Sequence, residues 1–190
     1  MRNTARYYQV KNMAHRFSWF LELDKIKKDG FSKHFISISQ GKEKLVQIIA
    51  YCLMPTHVHL VLKQLEENGI SIFMGNILNS YSRYFNTKHK RKGPLWEGRF
   101  KNVLVDNDEQ LLHLTRYIHL NPATAYLVDK PEDWTMSSYK EYLLEANKDN
   151  RICEYDDILD INTPSYKTFV EDRVSYQREL VSIKKLLLED

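Results

Sequence analysis

Cysteine is scarce in this 190-residue chain. Its two thiols, Cys52 and Cys153, stand about a hundred residues apart and form no C-x-x-C pair, which argues against a zinc ribbon, a thioredoxin-like site and a disulfide framework alike. A reducing compartment suits such a chain, and a cytoplasmic location is expected. Long apolar runs are missing as well: none approaches the roughly 18 residues that a membrane span requires. The opening "MRNTARYYQVKNMAHRF" lacks the apolar centre of a secretory leader, so no membrane partner is expected. Neither sign of charge dominates, with 28 Lys and Arg against 25 Asp and Glu for a net +3. Whole-molecule charge therefore makes no case for nucleic acid, and only a local cluster could make one. There is no internal repeat and no low-complexity segment.

What the chain does have is 43% hydrophobic and 28% charged residues, enough for one good core and a short appendage. Met13, Phe17, Phe20 and Leu21 at helical spacing predict a helix over 12–28, stopped at Asp29-Gly30. "FISIS" (35–39) alternates apolar and polar residues and reads as a strand. "KLVQIIAYCLM" (44–54) is apolar on both faces and rich in β-branched residues; after Pro55-Thr56 comes "HVHLVLK" (57–63), so two strands joined by a tight turn are expected. Over 70–86, Ile70, Phe73, Met74, Ile77, Leu78, Tyr81, Tyr84 and Phe85 mark the core face of a helix. "NVLV" (102–105) is a short strand candidate. A helix should begin at Asp108, behind the capping residues Asp106 to Asp108, carry Leu111, Leu114 and Ile118 inward, and stop or kink at Asn121, because Pro122 disfavours the α conformation before it. The polar stretch "EANKDNRICEYDD" after "WTMSSYKEYL" suggests a boundary, giving a domain over 1–145 and a C-terminal helical extension over 146–190. The mixture predicts an α+β fold with antiparallel character.

Two features carry chemistry. In "CLMPTHVHLVLK", His57 and His59 project from the same face of a strand about 7 Å apart along it, with Val58, Leu60 and Leu62 on the other face. Two imidazoles so placed can share one divalent ion, or can simply line a half-exposed strand end. On the helix from Asp108, the residues Gln110, His113, Tyr117 and Asn121 fall along one polar arc. Tyr117 and Asn121 are a turn apart. A tyrosine can attack phosphate, and an asparagine carbonyl is an oxygen ligand for a hard cation; alone, Tyr117 is as well read as a core or rim tyrosine, one of 12. A third feature is the basic loop after the 70–86 helix, where Lys88, Lys90, Arg91, Lys92, Arg99 and Lys101 meet only Glu97 in opposition, and Trp96 and Phe100 interrupt them. Cations can track phosphates while an aromatic stacks on an unpaired base; a solvated surface loop is the bland reading.

Taken together, "YCLMPTHVHLVLK", "SYSRYFNTKHKRKGPLWEGRFK" and "LLHLTRYIHLNPATA" resemble the HUH-class single-strand DNA transposases that use one tyrosine, and within them the REP-associated tyrosine transposase branch. The resemblance covers roughly 44–140. It implies a ferredoxin-like (RRM-like) antiparallel sheet flanked by helices, with the H-x-H on a central strand and the tyrosine helix packed near it. Residue by residue it implies His57 and His59 as metal ligands, Asn121 as the third, polar ligand and Tyr117 as the nucleophile. Many members open with a strand bearing an Asn-Arg-Gly signature, which "YYQVKNMAHRF" lacks; that edge strand is either replaced by 6–10 or lost.

A free tyrosine has a pKa of about 10 and needs a cation or positive field to serve as a nucleophile near neutrality. The resemblance thus implies Mg2+ or Mn2+ as cofactor, single-stranded DNA with a hairpin as partner, and cleavage and rejoining through a 5'-phosphotyrosine; it leaves monomer and homodimer open. A catalytically silent hairpin-binding protein is the second reading. A ferredoxin-like RNA-binding module is the third, and it leaves the H-x-H unexplained. A metallohydrolase with a longer H-x-H-x-D-H signature is disfavoured, since Leu60-Val61-Leu62 follow His59. Of the other histidines, His113 is near enough to Tyr117 in the helix to assist proton transfer, His89 and His119 have no comparable case, and His15 and His34 are read as structural.

Overall fold

A computed structural model describes residues 1–143 and 151–178. Helices and one antiparallel hairpin make up the fold, the α+β mixture expected from sequence. The chain divides into two compact units, Met1–Gln47 with Leu62–Val103, and Ile48–Val61 with Leu104–Asp190.

The first unit gathers helices α1 (Arg2–Tyr8), α2 (Phe17–Leu21), α3 (Asp24–Asp29) and α4 (Phe31–Ser39) around Tyr7, Val10, Phe20, Ile26 and Phe35. Tyr7 lies at the centre of this cluster: its ring meets Phe20 at 4.8 Å, and its hydroxyl donates to the His15 carbonyl at 2.8 Å. The helix expected over 12–28 is therefore two short ones, separated by a turn at Glu22-Leu23. "FISIS" is not a strand. It forms the second half of α4, because Phe31 and Phe35, one helical turn apart, stack at 5.3 Å, and Phe31 also packs edge-on against Phe20. The first residues are likewise helical. Only Val10 keeps a strand-like contact, one antiparallel bridge to Lys44, so 6–10 does not supply an edge strand.

Strand β1 (Val46–Leu53) is buried almost throughout, as its β-branched sequence requires. It turns through Pro55-Thr56, where the Met54 N–H donates to the His57 carbonyl at 2.9 Å, into β2 (Val58–Gln64). Helix α5 (Gly69–Lys88) follows, burying Phe73, Met74 and Ile77. Tyr84 departs from the core assignment: it shares the angular position of Phe73 and Ile77 but is 57% exposed, because burial on α5 ends at Ile77. At Gly69 a Cβ would collide with the Leu45 carbonyl oxygen, which already accepts from the Leu65 N–H at 3.1 Å.

In the second unit, α6 (Asp108–Thr124) starts as expected at Asp108, behind the Asn107 cap. The Asn107 side chain accepts from the Gln110 N–H at 2.8 Å while the Gln110 side chain accepts from the Asp106 N–H at 2.7 Å, a reciprocal cap reinforced by Asp108 and Glu109 in the first turn. It does not stop at Asn121. Pro122 falls in the last turn, where its missing N–H costs a single helical bond, and the chain remains helical to Thr124. "NVLV" is not a strand either: Val103 and Leu104 are 87% and 79% exposed, and among the described residues no strand pairs with them. The segment around 134–138 runs along the outer edge of β1, bridging Cys52 to Ser137, and α7 (Tyr139–Tyr142) continues from it. The described part of the C-terminal extension holds α8 (Thr163–Glu171) and a helical turn at 174–178; the rest of the helical extension expected over 146–190, and part of the polar boundary segment, lie outside the described residues.

Gly69→Ala should destabilise the protein by about 1–3 kcal/mol, because the Leu45 carbonyl must move to admit one methyl group. Urea unfolding checks this; a midpoint equal to that of the parent protein would contradict the close approach.

Candidate active site

His57, His59, Tyr117 and Asn121 all belong to the second unit. The hairpin turn brings the two histidines together, their ring centroids 4.7 Å apart and nearly perpendicular. His57 is exposed and its Nδ1 lies 3.0 Å from the Thr56 hydroxyl. If the ring donates there, the Nε2 lone pair is left outward, the usual orientation of a ligating imidazole. His59 is half-buried. Its ring stands edge-on to that of Tyr117 at 6.0 Å. Tyr117 itself is 46% exposed, so its hydroxyl-bearing ring is accessible while Ile118 and His119, next on the helix, are buried.

Within this residue set, His59 Nε2 and Asn121 Nδ2 are buried without a hydrogen-bond partner among the described residues. Buried polar atoms are normally satisfied, so each of these two can take a partner from outside the chain. Burial is the main cause that lowers the His59 pKa, and the neighbouring His57 lowers it further. A neutral imidazole with a free ring nitrogen is what a cation needs. Turning the Asn121 amide over would place its oxygen where the unpartnered nitrogen stands, at no change in volume. The donor set therefore fits a divalent ion with nitrogen and oxygen ligands. Among the described residues no three His, Cys, Asp or Glu side chains converge on one point.

Around this centre, His113 Nδ1 accepts from Arg116 Nη2 at 2.7 Å, with Glu109 3.9 Å from its other nitrogen. Arg116 lies over the ring of Phe169 on α8, 4.0 Å from its centroid. The basic-loop residues belong to the first unit. Lys88, Lys90, Arg91, Lys92, Arg99 and Lys101 are exposed. Lys88 stands 5.6 Å from the centre of the Tyr84 ring and Arg91 stands 5.7 Å from that of Phe85. Trp96 is half-buried beside Tyr81, and its indole N–H donates to the Leu78 carbonyl at 3.3 Å. Sequence reasoning missed Thr56, whose hydroxyl sits beside His57, and the exposure of Tyr84. It also missed His119, which is fully buried and bonded on both ring nitrogens; an H-x-N spacing beside the tyrosine was the only signal available.

A histidine pair beside an accessible tyrosine ring and an unpartnered amide makes a site suited to phosphoryl chemistry. The chain belongs to the family described as "Transposase IS200 like", which residues 20–121 match. Over 104 residues it is 28% identical to a Haemophilus influenzae protein named "Putative REP-associated tyrosine transposase"; the match takes in 49% of this chain and 58% of that protein. The chain thus spans less than two thirds of this relative's length. No solved structure matches it.

The electrostatics predict that the His59 ring, followed by its NMR proton resonances, titrates below the ordinary histidine value. His57→Ala should raise that pKa part of the way, because one like charge is removed while burial remains. A His59 pKa at or above the usual value in the parent protein would contradict the partly dry site described here.

Proposed function

We propose that this protein is a metal-dependent transposase that cleaves and rejoins single-stranded DNA beside a hairpin through a 5'-phosphotyrosine intermediate. The observation that carries the reading is the meeting of Tyr117 with His59, supported by the lack of a hydrogen-bond partner, among the described residues, for His59 Nε2 and for Asn121 Nδ2, one turn beyond Tyr117 on α6. Family membership supports it. The finer fold proposed with it is a reduced ferredoxin-like sheet centred on the β1–β2 hairpin, with the single bridges at Lys44 and Ser137 standing where further strands would pair.

In this mechanism the Tyr117 hydroxyl oxygen attacks the scissile phosphorus; as the new O–P bond forms and the bond to the 3'-oxygen breaks, the phenol proton passes to solvent and the departing 3'-oxygen takes one up to become a hydroxyl. The strand is then held by its 5' end, and the free 3'-hydroxyl can attack the phosphotyrosine to reseal it. No ATP is required, since each linkage is a phosphodiester. His57, His59 and Asn121 would hold Mg2+ or Mn2+, which when bound polarises the nonbridging oxygens and stabilises the charge that develops in transfer. The half-buried position of His59 takes its imidazole partly out of water, which strengthens the charge interactions made at that ring. Lys88, Lys90, Arg91, Lys92, Arg99 and Lys101 neutralise phosphates of the bound strand, with Trp96 and its neighbours as aromatic contacts; log affinity should fall with log salt by about 0.7 per phosphate neutralised.

Cleavage of end-labelled single-stranded hairpin DNA with Mg2+ or Mn2+ tests the proposal. Tyr117→Phe should lose cleavage and keep hairpin affinity within about twofold, since only the attacking oxygen is removed. His57→Ala should also fail, with partial recovery in excess Mn2+. Continued cutting by Tyr117→Phe would assign the nucleophile elsewhere; tight hairpin binding with no cutting under any metal would make this a silent hairpin-binding protein.

A further inference from the structure

One buried group near the site is not used by the chemistry above. His119 lies on the inward face of α6, between the Tyr117 and Asn121 positions, and is wholly enclosed. The rings of Tyr139, Tyr142 and Tyr166 surround it at 5.4, 4.7 and 5.9 Å. Its two nitrogens reach in opposite directions. Nδ1 meets the Tyr166 hydroxyl of α8 at 2.7 Å, and that hydroxyl also reaches Thr115 Oγ1, one turn earlier on α6, at 3.0 Å. Nε2 meets the Ser138 hydroxyl at 2.8 Å. Ser138 in turn is tied to one residue of β1: its Oγ accepts from the Tyr51 N–H at 2.9 Å and donates to the Tyr51 carbonyl at 3.1 Å, while its own N–H donates to the same carbonyl at 2.9 Å.

We infer that His119 is a positioning residue: with Tyr166 and Ser138 it fixes the helix that carries Tyr117 and Asn121 in register with the hairpin that carries His57 and His59. The inference rests on the transposase reading for its catalytic consequence, but its geometric content stands apart from it. A neutral imidazole donates at one nitrogen and accepts at the other; with the Ser138 hydroxyl proton on the Tyr51 carbonyl, Nε2–H donates to Ser138 Oγ and Nδ1 accepts from the Tyr166 hydroxyl. Burial lowers the His119 pKa to about 3, so the ring stays in that form through the ordinary working range. The bridge is short and dry, and neither end can slide without leaving a buried polar atom unpaired. It also gives the C-terminal segment a task. Beside Tyr166, that segment contributes Arg178, whose guanidinium donates to the Ala123 carbonyl at 2.9 Å and the Val128 carbonyl at 3.0 Å, at the C-terminal end of α6. The described part of the extension is a brace on the tyrosine helix.

The test removes a single oxygen. Tyr166→Phe keeps the ring and breaks the α8 end of the bridge; Tyr155→Phe, which loses an equally buried hydroxyl bonded to the Glu141 carbonyl at 3.1 Å, is the matched control away from α6. The His59 ring-proton resonance is followed in metal-free, DNA-free protein, because the Tyr117 ring beside it shifts that resonance, and Tyr117→Leu supplies its value without the ring. Tyr166→Phe should move the resonance toward the Tyr117→Leu value, and Tyr155→Phe should leave it in place. Single-turnover cleavage by Tyr166→Phe should fall about tenfold or more, with hairpin affinity within about twofold. An unchanged His59 resonance in folded Tyr166→Phe overturns the inference, as does an equal movement in Tyr155→Phe. If the resonance moves as expected but the parent protein cleaves no DNA, the positioning role stands and the transposase reading falls.

Discussion

A fully enclosed imidazole has no water to satisfy it, and the second unit is arranged around meeting that demand. Leaving one ring nitrogen of His119 unpaired would cost about 1–3 kcal/mol, so α6, α8 and the segment at Ser138 are held where their hydroxyl groups can reach it. The same logic governs Glu141, a buried carboxylate that accepts from the Ile152 and Cys153 N–H groups at 2.8 Å each and from the Tyr51 hydroxyl at 3.0 Å. Together these polar contacts connect β1, α7 and the start of the C-terminal extension. Hydrophobic burial supplies the bulk of the stabilisation; the polar contacts decide which packing of those elements is allowed.

The outward side of α6 has the opposite character. Tyr117 is accessible, and Asn121 and His59 hold polar atoms without a hydrogen-bond partner among the described residues. One helix therefore presents a satisfied polar face inward and an unsatisfied one to the site, within three consecutive residues of sequence. Rigid support behind an open, under-bonded site is the arrangement that phosphoryl transfer to a fixed nucleophile needs, because misplacement by about 1 Å can cost a hundredfold in rate. Pro122 fits this picture: falling in the last turn, it leaves the helical geometry of Tyr117 and Asn121 intact.

Much of this was legible in sequence where a pattern was long or chemically specific. The β-branched run of β1, the 20-residue periodicity of α5 and the Asn107 cap of α6 each offer several agreeing signals. The histidine pair and the Tyr117–Asn121 pair were legible as same-face spacings, although spacing alone says nothing of which helix meets which hairpin. Short segments misled. "FISIS" alternates like a strand, but Phe31, outside that window, pairs with Phe35 at helical spacing and tertiary packing decides for the helix. "NVLV" has strand-forming residues and no partner strand among the described residues, and a strand without a partner has nowhere to place its backbone hydrogen bonds. His119 was opaque for a different reason: its partners, Ser138 and Tyr166, lie 19 and 47 residues further along the chain.

The central claim is that Tyr117 attacks phosphorus at a site shared with His57, His59 and Asn121. Its most direct measurement is peptide mapping by mass spectrometry after incubation with a short single-stranded hairpin substrate and Mn2+. The account predicts that the peptide containing Tyr117 gains the mass of a 5'-linked nucleotide fragment, and that this adduct disappears when the metal is chelated. An adduct on any other residue, or DNA cleaved with no adduct at any stage of the reaction, would contradict it.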